Sequence, residues 1–84
     1  MIKNDAELMK EIDELERDFY LSLQASVSMN KLGVDANESY KSPQRMIDKL
    51  ADLIPKLKDS TLQDLALLKI IDMINLLDES LEQI

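Results

Sequence analysis

The stretch LQDLALLKIIDMINLL, residues 62–77, constrains this chain more than any other. A helix that packs on one neighbour needs an apolar stripe only a little over 100° wide. At 100° per residue, Leu62, Leu65, Ala66, Leu67, Ile70, Met73, Ile74, Leu76, Leu77, Leu81 and Ile84 spread over an arc of about 200°. Such a helix has to touch at least two others. Leu68 and Ile71 fall outside even that arc, the first sign of a contact beyond the chain. A membrane span is not the explanation, because Lys69, Asp72 and Asn75 interrupt the run well short of the roughly 18 apolar residues a span needs.

The rest of the chain supplies the neighbours. Asn4 with Glu7 three residues on forms a helix start of the capping-box kind, and Leu8, Ile12, Leu15, Phe19 and Leu23 recur at helical spacing behind it. This first helix spans about 5–32 and ends at Gly33, the only glycine, which suits the left-handed position after a helix. Residues 33–42 read as a loop of short polar side chains. Ser42 and Pro43 read as N-cap and first position of a second helix, with Met46, Ile47, Leu50, Leu53, Ile54 and Leu57 on its apolar face. That helix runs over about 43–54, or to 58 with a kink, because Pro55 breaks the hydrogen-bond ladder. Ser60 and Gln63 suggest a second capping box, opening a third helix over about 61–82. The fold class expected is all-α: a single helical domain over 1–84, three helices long, short and long, forming an antiparallel helical bundle that can complete itself by dimerisation.

Composition narrows function by exclusion. With 45% hydrophobic residues the chain can build a core, but it has no cysteine and no histidine. The common zinc sets, the Glu-x-x-His di-metal motif and an activated cysteine or serine nucleophile therefore have no parts to be made from. No catalytic residue, cofactor or metal is expected, and no enzyme. Asp35, Asn37 and Ser39 begin like a calcium loop, yet Tyr40 stands where the glycine belongs and Met46 where the bidentate glutamate belongs. A net charge of −7 argues against nucleic acid or an anionic membrane as partner. A helix-turn-helix reading fails because the third helix carries only Lys69. The polar, acidic start lacks the basic and apolar regions of a signal peptide, so a cytoplasmic protein is expected.

Three surface features remain. Leu21, Ala25, Met29 and Leu32 form a second apolar side on the later half of the first helix. Glu7, Glu11, Glu14 and Asp18 stack at spacings of four, three and four, with Lys10 and Arg17 on the adjacent flank. Arg45, Lys49 and Lys56 share a face of the second helix, and the simplest role for them is to lie against the acidic helices of the same molecule. The candidate interaction surface is therefore Leu68, Ile71, Leu21, Met29, Glu7, Glu11, Glu14 and Asp18. The function expected is a non-enzymatic adaptor, inhibitor, immunity or chaperone-like protein that binds a protein partner, and the acidic charge favours a basic one. A homodimeric self-assembly module is the alternative, and an acidic nucleic-acid mimic is a remote third.

Overall fold

The computed structural model describes residues 3–82, and no strand occurs among them. Ile84, on the apolar arc above, lies outside the described residues. Four helices follow in order: α1 (Asp5–Lys31), α2 (Ala36–Ser39), α3 (Lys41–Leu53), and α4 (Ser60–Glu82), with a 3-10 turn over Ile54–Lys56 after α3.

The ends of α1 are set locally. Asn4 Oδ1 accepts the Glu7 N–H at 2.8 Å. At the other end Gly33 takes φ +101°, its N–H donates to the Asn30 carbonyl, and the Val34 N–H donates to that of Met29. Those paired bonds satisfy two carbonyls that the helix end leaves open, and the left-handed turn between them favours glycine.

The chain between α1 and α4 departs from the expected loop and caps. Residues 36–39 close a single helical turn, because the Asp35 carbonyl accepts both the N–H (2.9 Å) and the hydroxyl (3.1 Å) of Ser39. Since α2 ends one residue before α3 begins, Tyr40 occupies the N-cap position of α3 with no side-chain bond. Ser42 is not the cap, and Pro43 sits buried in the first turn, where a missing N–H costs nothing. Pro55 ends α3 at Leu53 and leaves the short 3-10 turn. The cap of α4 is Asp59 rather than Ser60: its Oδ1 accepts the N–H of Thr61 at 2.7 Å and of Leu62 at 3.3 Å. A carboxylate there also complements the helix dipole. Gln63 reaches back, but to the Leu57 carbonyl at 2.6 Å.

The core gathers Leu8, Ile12, Phe19 and Leu23 from α1, Ile47, Leu50 and Leu53 from α3, Leu57 from the turn, and Ala66, Ile70, Met73 and Leu77 from α4. Tyr40 is buried among them. Ser26 and Ser39 are buried too, each donating its hydroxyl to a carbonyl four residues earlier. The Asp5 carboxylate accepts the Lys58 and Asp59 N–H groups, and Lys69 reaches Asp13 and Glu16. Low-numbered ends and middles of α1 and α4 thus lie together, so α4 runs parallel to α1. The body measures 43 × 23 × 16 Å, its long axis set by the roughly 40 Å of α1. Packing is most extensive between α1 and α3, while α4 engages each of them over less of its length.

Candidate interaction surface

Helix α4 carries two apolar columns of the same spacing, one residue apart. Ala66, Ile70, Met73 and Leu77 form the inner one and are no more than 8% exposed. Leu67, Ile71 and Ile74 form the outer one, continued by Leu81, at 44, 50, 39 and 40% exposure. Leu68, at 61%, widens its far edge. The expectation that α1 and α3 would cover an arc of about 200° is therefore corrected. The buried column subtends only about 60° of the wheel, with Leu62 and Leu76 half-buried beside it. The reason is length and direction: α3 has 13 residues against the 23 of α4, and both neighbours lie on the inner side.

The flank of α4 that meets α1 carries a polar link. Lys69 Nζ donates to Glu16 Oε1 at 3.0 Å and lies 3.4 Å from Asp13 Oδ1, linking the two helices. The hydrogen bond to Glu16 raises the Lys69 pKa, and the charges of Glu16 and Asp13 add to it. Tyr20 stands beside this group. Partial desolvation raises the hydroxyl pKa of this otherwise exposed residue, and the Glu16 and Asp72 charges act in the same direction. Leu67 and Ile71 are roughly 160° round the helix from Lys69, so the outer column faces away from α1.

All four apolar residues singled out from the sequence, Leu68, Ile71, Leu21 and Met29, are exposed. They do not form one surface. Leu21 lies half a turn from the buried Ile12 and Phe19 side of α1, on the side away from both neighbours, whereas Ile71 points away from α1 and Leu68 lies about 100° round α4 from Lys69. Leu32 is exposed as well.

The acidic row is less uniform than its sequence suggests. Glu7, Glu14 and Asp18 are exposed and Glu11 half-buried, but Lys3 Nζ holds Glu11 Oε2 at 2.6 Å. Lys3 and Lys10 line the same shallow surface as Glu7, Glu11 and Glu14. Asp13 and Glu16, on the other flank, are the acids that pair with Lys69 of α4. Arg45, Lys49 and Lys56 do not pair with the acidic helices: no ion pair within 4.0 Å involves them among the described residues. The contact they were expected to make is made instead by Lys69.

Sequence reasoning missed Leu67, Ile74, Leu81 and also Leu65 as surface, having placed them in the core arc. It also missed Asp5, whose pKa is lowered by the backbone N–H groups of Lys58 and Asp59. The signal for the first three was present in the repeat 67, 74, 81, which duplicates the spacing 66, 73 one residue on. Among the described residues no group of acidic side chains is arranged to hold a metal ion, and no helix is long and apolar enough to cross a membrane. Comparison with protein-family models, with curated proteins and with solved structures finds no match.

Proposed function

We propose that this is a non-enzymatic, cytoplasmic interaction module: an acidic helical adaptor, inhibitor, immunity or chaperone-like protein that binds another protein through the outer face of α4. The observation that carries this reading is the outer column itself. Leu67, Leu68, Ile71, Ile74 and Leu81 together expose on the order of 400 Å² of apolar side chain, the scale at which the largest patch of a monomer tends to be functional. The second reading is a homodimeric antiparallel bundle in which a copy of the chain covers the same column.

A photo-reactive amino acid at position 71, compared with one at position 21, separates the readings in the native host. Adducts heavier than one chain by an unrelated mass, at position 71 only, are the expected result. Adducts of two chains alone support self-assembly, and equal labelling at position 21 contradicts a role for α4.

A further inference from the structure

We infer that the outer face of α4 receives a cationic amphipathic helix, its apolar residues seated on Leu67, Ile71 and Ile74 and its lysines or arginines set against Asp64 and Asp78. This deepens the proposed function and rests on it.

The argument starts from register. Leu67, Ile74 and Leu81 recur at seven residues, and so do Asp64, Ile71 and Asp78. The two rows alternate at spacings of three and four, which is the seam that a second helix packs into. Three positions of that seam, Leu67, Ile71 and Ile74, form a continuous apolar centre, and a carboxylate closes it on either side. Asp64 and Asp78 are exposed, and neither takes part in an ion pair within 4.0 Å among the described residues. The one cation of α4, Lys69, is held on the opposite flank by Glu16 and Asp13.

Charge then selects the occupant. A second α4 laid parallel and in register sets Asp64 against Asp64 and Asp78 against Asp78. Laid antiparallel about the centre of the seam, it sets each aspartate against a leucine. Both arrangements desolvate carboxylates without a counter-charge, which is unfavourable. The apolar area is also about half of what one partner contributes to a standard stable interface, roughly 800 Å². One helix laid along the seam matches that area. If it carries basic residues a turn or two beyond its apolar anchors, it neutralises both aspartates and gains long-range attraction from the net charge of −7.

The test uses the full chain and two fluorescent peptides of about five turns, both with leucines at heptad spacing, one flanked by lysines and the other by glutamates. Saturable binding of the lysine peptide is expected by anisotropy. Ile71→Glu should weaken it at least tenfold although it adds an attractive charge. Leu67→Gln, which changes no charge, should weaken it several-fold, and Asp64→Lys with Asp78→Lys at least tenfold. Leu21→Glu should leave it within twofold, with circular dichroism showing each variant folded. Equal binding by Ile71→Glu and Leu21→Glu would mean attraction to the acidic protein at large and would overturn the inference, as would no binding at all. Binding of the glutamate peptide, lost in Ile71→Glu, overturns the cationic partner while leaving the interaction reading intact. A chain dimeric on its own, made monomeric by Ile71→Glu, overturns both.

Discussion

The inner and outer columns of α4 have the same residue class and the same spacing, yet one is core and the other surface. A rotation of about 100° about the helix axis would exchange them. Apolarity therefore cannot be what selects the inner column. Two polar features do. The outer column continues into Asp64 and Asp78, and turning it inward would bury carboxylates with no partner. Lys69 meets Asp13 and Glu16 only when the inner column faces the core. The apolar residues make α4 pack, and the charges decide which way it faces.

The sharpest way to break this comparison is a pair of neighbouring substitutions. Ile70→Glu places a carboxylate in the core and should cost several kcal/mol, a large part of the roughly 4 to 13 kcal/mol expected for a chain of this length. Ile71→Glu, one residue on, should change stability by no more than about 0.5 kcal/mol. Urea unfolding followed by circular dichroism reads both. Similar losses in the two would mean that the outer column is also core.

Gly33→Ala comes next. A Cβ there meets nothing within 4 Å, so the cost is that of the φ +101° backbone alone, about 1 to 2 kcal/mol. A much larger loss in thermal unfolding would show that the turn after α1 carries packing as well. Lys69→Ala should cost at most about 1 kcal/mol, because the site is partly solvated. The pKa of Lys69 is raised in the folded state, so its contribution is complete below about pH 10.4. It fades as pH rises through the raised value. The stability gap between wild type and Lys69→Ala should therefore close in strong alkali.

Asp5→Asn probes the anchor between the starts of α1 and α4, and the sign is reversed. The pKa of Asp5 is lowered by the Lys58 and Asp59 N–H groups, so its contribution is present above about pH 3.9. It is lost as pH falls through the lowered value. Wild type should be the more stable at neutral pH, with the gap narrowing in acid. A gap independent of pH would mean that the bond does not depend on the carboxylate's charge.

Much of the fold was legible because it is written in short-range pattern. The faces of α1 and α3 follow from apolar residues at spacings of three and four, and Gly33 and Pro55 act on their own backbone. All of these can be read within one or two turns. The remainder depends on partners far along the chain or on competition between near-equals. Asp5 bonds residues more than 50 positions away, which no local pattern encodes. Asp59 outcompetes Ser60 for the same cap by one residue. On α4, a helix apolar on most sides announces that it has neighbours without saying where they stop. Leu68 and Ile71 were legible as surface because they lay outside the arc. Leu65, Leu67, Ile74 and Leu81 were not, because their exposure depends on where α1 and α3 stop covering α4 and on the rotation fixed by Lys69.

Light scattering during gel filtration, over a range of concentrations and at moderate salt, tests most directly whether the outer face of α4 is kept for a different protein. The mass of one chain at every concentration is the expected result. A mass rising to two chains with concentration, and returning to one in Ile71→Glu, would contradict it by showing that a second copy covers Leu67, Ile71 and Ile74.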